Sequence, residues 1–274
     1  MPKVCLSSTD GALTEIYLQG AHVTSWVPAG DDERLFLSGK SAFQPGSAIR
    51  GGVPIIFPQF SNLGSLPRHG FARTSAWELA SLGGDPDFTT AEFHLTEDEA
   101  SLSLWPYPFL AIMKVSIGGK KLILSFTVVN MGDRPFTFTA ALHTYLRVWN
   151  IRNTVIDGLG GLTFHDTVNR ASPADWVKLV QKTAQVNFPG EVDRIYHDVP
   201  GPLKVVEPER ITTISMTGFP DTVVWNPGPE RAARLVDLEP DGYQQMVCVE
   251  AAVIGAPVIL GPGGTWQGTQ ALST

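Results

Sequence analysis

Cysteine is scarce in this chain: Cys5 and Cys248 are the only two among 274 residues. A disulfide framework is therefore not its organising device, and no CxxC spacing suggests zinc. Charge is thin as well, at 17% Asp, Glu, Lys and Arg, with a formal net charge of −7 and a pI near 5.3. An acidic chain of this kind is poorly suited to wrapping nucleic acid or lying on an anionic membrane. The most apolar late stretch, AAVIGAPVIL (251–260), is broken by Gly255 and Pro257 and falls far short of a bilayer crossing. The first twenty residues hold no apolar signal-peptide core, so the expectation is a cytoplasmic protein. Internal repeats, low-complexity tracts and a dividing linker are also missing, which implies one domain over residues 1–274. Nowhere do a dozen residues hold a 3.6 period without a breaker, which argues against alternating βαβ units.

The apolar share is 43%, enough for a sizeable core, and 27 glycines and 21 prolines punctuate the whole length. Between them recur strand-like runs: EIYLQG, HVTSWV, RLFLS, MKVSIGG, KLILSFTVVN, FTFTAALHTYL, TISMTG, TVVWNP, QMVCVEAAV and TWQGTQAL. Gly118-Gly119 between two of these runs reads as a tight hairpin. The expected fold is all-β: a large antiparallel β-sandwich with few short helices.

Three segments could carry chemistry. Arg50-Gly-Gly-Val-Pro-Ile-Ile-Phe-Pro-Gln59, followed by Arg68-His69-Gly-Phe-Ala-Arg73, concentrates three permanent cations and a histidine in an otherwise acidic chain. A guanidinium fork suits a phosphate or carboxylate because it offers two parallel charge-assisted hydrogen bonds. The plainer alternative is that these arginines pair with surface carboxylates. In Phe136–Tyr145, strand alternation would put Ala141, His143 and Tyr145 on one face and Leu142 and Thr144 on the other. Desolvation would depress the pKa of His143 and leave it neutral, as in an ordinary core histidine.

In Gln245–Val253, Met246, Cys248 and Glu250 would share a face opposite Val247, Val249 and Ala251. Burial would raise the pKa of Glu250, the direction that makes a carboxylate a useful proton acceptor near neutrality; a buried structural ion pair is the competing reading. Asp193, between strand-like segments, reads by itself only as a turn or cap residue. The six histidines show no HExxH or HxH spacing, so no metal is expected. There is no GxSxG elbow, and the Gly-Gly pairs lack both the GKS/T of a phosphate loop and a dinucleotide-binding setting. Cys248 sits in an apolar run and reads as a small buried hydrophobe.

The ordered set RGGVPIIFPQF, LPRHGFARTSAWEL, ALHTYLRV, EVDRIY, FPDTVVWNP and MVCVEAA resembles the hexose-6-phosphate mutarotases (glucose-6-phosphate 1-epimerases), relatives of the galactose mutarotases. The likeness runs from about Gly11 to the C-terminus. It implies a supersandwich with a shallow sugar site on one sheet face, His143 as general acid and Glu250 as general base. Asp193 would bind sugar hydroxyls, and Arg50 and Arg73 the phosphate. Arg68 stands where some members carry glutamine, and His69 matches a histidine near the sugar in the galactose enzymes. The implied reaction opens and recloses the ring of a hexose 6-phosphate, with acid and base about a sugar width apart and no cofactor. The protein would act as a monomer without nucleic-acid or membrane partners. Three alternatives stand beside this: an epimerase for unphosphorylated aldoses, a non-catalytic sugar-binding module, and a glycoside hydrolase using Glu250 and Asp193.

Overall fold

The computed structural model describes residues 1–170 and 172–274. The Val-, Ile-, Thr- and aromatic-rich runs become strands because such side chains fit a pleated, half-buried surface. They assemble into sheets of three, eight and nine strands, all pairings within the named strands being antiparallel. The nine-stranded sheet has at its centre Arg210–Thr217, Thr265–Ser273, Lys121–Asn130 and Phe109–Gly118. Along Lys121–Asn130 every second residue is buried, with Leu122, Leu124, Phe126 and Val128 wholly covered. That period of two marks a strand facing a core on one side only.

The eight-stranded sheet carries the site. Its order is Val177–Val180, Thr163–Asp166, Val192–Tyr196, Asp221–Asn226, Met246–Leu260, Phe136–Leu142 and Ile55–Ile56, with Tyr145–Arg147 also paired to Met246–Leu260. Val247, Val249 and Ala251 point into a core shared with Leu124, Phe126 and Leu272 of the nine-stranded sheet. Met246 and Cys248 point the other way, into a separate cluster with Phe36, Tyr145, Trp225 and Leu238. This face division follows the expected alternation. Loops cover the outer face, so the first half of Met246–Leu260 is buried on both sides. Phe57 joins the layers: its ring lies 5.4–6.2 Å from those of Phe71, Trp105, Phe109, Phe126 and Phe138.

Helix is confined to Glu99–Leu104, Gly228–Ala232 and short 3₁₀ turns among the described residues, and no helix is long and apolar enough to cross a membrane. The expected hairpin forms one residue further on, with Gly118 paired to Lys121 across a Gly119-Lys120 turn and Gly119 at φ +56°. RLFLS does not form a ladder. Isolated bridges hold it, Leu35 to Leu146 and Leu37 to Gly51: Glu33 takes the Leu35 amide at 2.8 Å, and the amides of Arg34, Phe36 and Ser38 donate to the carbonyls of Trp26, Tyr145 and Arg50 on separate segments. Asp193 is not a turn or cap residue either; it lies inside the Val192–Tyr196 strand, paired in register with Trp225. Its polar side chain is tolerated there because that face opens on a cleft rather than on the core.

Candidate active site

The acid–base candidates meet through strand register. Leu142 pairs with Ala251 and Tyr145 with Cys248, so His143 stands directly opposite Glu250 on the neighbouring chain segment. The regular ladder breaks at this point. Phe136–Leu142 ends, the His143 amide donates to the Pro54 carbonyl at 3.0 Å, and pairing resumes at Tyr145. Side chains directly opposite on one face of an antiparallel pair are close neighbours. Accordingly Nε2 of His143 lies 3.3 Å from Oε1 of Glu250, nearer than the expected sugar width. Nδ1 of His143 and Oε2 of Glu250 are buried without hydrogen-bond partners among the described residues.

Glycine lets two loops approach this floor. Gly52 has φ +59°, and a Cβ there would fall 2.2 Å from the Val23 carbonyl oxygen. Gly70 has φ +68°, and its Cβ would fall 2.1 Å from the Phe57 carbonyl oxygen. Only glycine permits both the left-handed backbone and the contact. The first loop delivers Arg50 and the second Arg68, His69 and Arg73. His69 itself adopts φ +68°, and its Nδ1 accepts from the Ser61 amide at 3.2 Å. That bond leaves the proton of the neutral imidazole on Nε2.

All seven residues singled out in the sequence line one cleft of about 400 Å³: Arg50, Arg68, His69, Arg73, His143, Asp193 and Glu250. Tyr145, Trp225, Arg231 and Asp237 line it as well and carried no functional signal in the sequence. The Tyr145 ring stacks on the His143 imidazole at 4.8 Å and 10°, and Trp225 stands edge-on to it at 6.0 Å and 83°. The period-two pattern did put Tyr145 on the His143 face; nothing local in the sequence points to Asp237.

Burial dominates the electrostatics. It pushes the Glu250 carboxyl well above the usual range, and the Asp193 carboxylate adds to this. Asp193 itself is raised to about 6, again chiefly by burial. His143 is held well below its ordinary value by desolvation, then by Arg50 and Arg73; His69 is lowered for the same leading reason, with His143 and the arginines adding to it. Cys248 is wholly buried and its thiol is raised, as expected of a structural hydrophobe. The guanidinium of Arg50 is occupied: Nε and Nη2 bond to Asp237 at 3.0–3.2 Å, and Nη1 donates to the Tyr145 hydroxyl at 2.9 Å. Arg73 donates to the Arg68 carbonyl at 3.0 Å. Neither Arg68 nor Arg73 has a carboxylate partner among the described residues.

The model of the family described as aldose 1-epimerase matches residues 2–273. The chain belongs to that family. Among curated members, the protein from Cenchrus ciliaris named "Putative glucose-6-phosphate 1-epimerase" is 34% identical over all of this chain and 84% of its own length. An Escherichia coli protein of the same name is 37% identical over 86% of this chain and 78% of its own. Among solved structures, that of a "putative mutarotase" from Salmonella typhimurium superposes with a TM-score of 0.89 at 30% identity, covering 99% of this chain and 89% of that one. The likeness in fold extends over nearly the whole chain.

Proposed function

We propose that the protein is a glucose-6-phosphate 1-epimerase, interconverting the α and β anomers of D-glucose 6-phosphate and related hexose 6-phosphates, with His143 and Glu250 as its acid–base pair. The observation that carries this reading is the 3.3 Å approach of Nε2 to Oε1 in a cleft that also holds two guanidinium groups without carboxylate partners among the described residues. The names of the Cenchrus and Escherichia coli relatives support the phosphorylated substrate.

Ring opening needs one proton to leave the C1 hydroxyl and another to reach the ring oxygen. Both oxygens are bonded to C1, so an acid and a base that touch each other can serve them together. Glu250 as carboxylate takes the hydroxyl proton while His143 as imidazolium protonates O5. The C1–O5 electrons go to O5, and C1=O1 forms. Rotation about C1–C2 presents the other face, and the reverse transfers close the ring as the opposite anomer.

Carboxylate with imidazolium, and carboxylic acid with imidazole, hold the same number of protons and the same total charge. They are two states of one coupled pair. Burial favours the neutral state, which is also the state the pair occupies once the ring is open. A phosphate bound among the arginines offsets the positive field that depresses His143 and so favours the imidazolium needed to begin. Asp193 and the Nε2–H of His69 would hold sugar hydroxyls, and Arg68, Arg73 and Arg50 would surround the phosphate. All the residues given a role here line one cleft of a single chain, which supports a monomer as the working unit. The unpaired Cys5 and Cys248 suit the reducing cytoplasm.

Polarimetry on freshly dissolved α-glucose 6-phosphate tests the assignment. Wild-type protein should speed the approach to equilibrium, and no acceleration would sink the function. Glu250→Gln should lose about 10²–10⁴-fold in kcat with substrate binding retained, as for a positioned proton-transfer group. Wild-type rates in that variant would remove Glu250 from the mechanism.

A further inference from the structure

Arg50 carries an ion pair that a plain phosphate clamp would not need. Its Nε lies 3.2 Å from Oδ2 of Asp237, and its Nη2 lies 3.1 and 3.0 Å from Oδ1 and Oδ2. Asp237 cannot readily swing away. Leu238 beside it is buried against Phe36, Tyr145 and Trp225, and Glu239 is pinned by the Gly39 amide at 2.7 Å and the Ser38 hydroxyl at 2.8 Å. A carboxylate thus stands fixed inside the region where an anion would dock.

The other cations sort by the same criterion. Arg231 lies 3.5 Å from Glu191, and Arg170 pairs with Asp166 at 2.5 Å. Among the described residues lining the cleft, only Arg68 and Arg73 lack a carboxylate partner. A phosphate monoester carries about −1.5 to −2 at pH 7, close to the charge of two guanidinium groups. Pyrophosphate or a bisphosphate would exceed it.

We propose that Asp237 is a specificity-determining residue: by pairing with Arg50 it leaves Arg68 and Arg73 as the two guanidinium groups of the cleft without a paired carboxylate and so matches the anion seat to a phosphate monoester dianion over more highly charged anions. This rests on the epimerase reading for the identity of the monoester, though not for the anion seat itself. Arg50 keeps its contact with Tyr145 and can still donate to phosphate, but adds no net charge.

The test measures binding of inorganic phosphate and pyrophosphate to wild type and Asp237→Asn by calorimetry, with KM for glucose 6-phosphate alongside. Asparagine keeps an acceptor for Arg50 and removes only the charge. Phosphate should bind about fivefold more tightly to the variant, pyrophosphate should gain more, and both gains should shrink at about 0.5 M salt. Unchanged or weaker binding of both anions would overturn the proposal, as would failure of either protein to bind phosphate at all. Should the asparagine variant not fold, Asp237→Ser gives the same comparison. A wild type that binds phosphate but does not speed anomerisation would sink the epimerase reading while the anion comparison still decides the role of Asp237.

Discussion

At the scale of single residues, the site combines charges that burial makes costly, and each cost is open to measurement. Asp193 is half-buried, and its carboxyl is raised to about 6 from an unfolded value near 3.9. Between those values the folded chain binds more protons than the unfolded one, so stability falls as pH climbs through that window and the penalty is fully present above it. Asp193→Asn should therefore raise Tm at pH 8, corresponding to about 1–2 kcal/mol after allowance for solvent, and should leave Tm nearly unchanged at about pH 4. Scanning calorimetry at the two pH values checks this, and equal shifts at both would contradict it. The variant should also lose sugar affinity, the usual exchange of stability for function at a binding residue. In the proposed reading Arg73 meets the phosphate at the other end of the substrate. Arg73→Ala should raise KM for glucose 6-phosphate about 10–100-fold, the worth of a charge-assisted hydrogen bond, and leave turnover of free glucose little changed. Equal effects on both sugars would argue against a phosphate contact.

At the scale of elements, strand register does what a helix or a loop could not: it sets residues 143 and 250 opposite each other across more than a hundred intervening positions. Alternation read from the sequence already put His143 with Tyr145, and Glu250 with Met246 and Cys248, so the faces were legible. Which strands are neighbours was not, because pairing partners are set by packing among distant segments rather than by local pattern. Asp193 shows the same limit: an aspartate between strand-like segments reads as a turn or cap, yet sheet pairing holds it in a strand. RLFLS differs in the other direction: its apolar pattern is real, but Glu33 takes the Leu35 amide and the amides of Arg34, Phe36 and Ser38 go to three different segments, so no continuous ladder forms. Asp237 lies on an exposed-looking turn, and its importance comes only from where that turn folds back. The Arg68–Arg73 segment depends on Gly70, whose φ of +68° and contact with Phe57 leave no room for a side chain. Gly70→Ala should destabilise the fold by about 1–3 kcal/mol from backbone strain and, by displacing Arg68, His69 and Arg73 together, lower kcat/KM more than Arg73→Ala does. Thermal melts with kinetics on the same sample would show it; lower stability with unchanged kinetics would mean that the segment tolerates movement.

At the scale of the whole molecule, one core joins everything that the site needs. It runs from Leu6 to Leu272 and takes side chains from all three sheets, so the floor bearing Glu250 and the loops bearing the arginines rest on the same packed interior. Phe57 is its densest aromatic junction, touching five other rings, while its backbone carbonyl receives the amides of Phe71 and Ala72 within the arginine loop. We propose that residues 1–274 unfold as one cooperative domain. Phe57→Ala should then cost about 3–5 kcal/mol, through lost burial and the cavity left behind, and lower Tm by roughly 10 °C. The transition should stay single, with calorimetric and van't Hoff enthalpies in agreement, and tryptophan fluorescence and anomerase activity should be lost together. If truncation at this junction splits the melt into two steps, or removes activity well before the bulk of the sheet signal, the cleft and the nine-stranded sheet fold as separate units; the acid–base pair would then owe its geometry to the eight-stranded sheet alone.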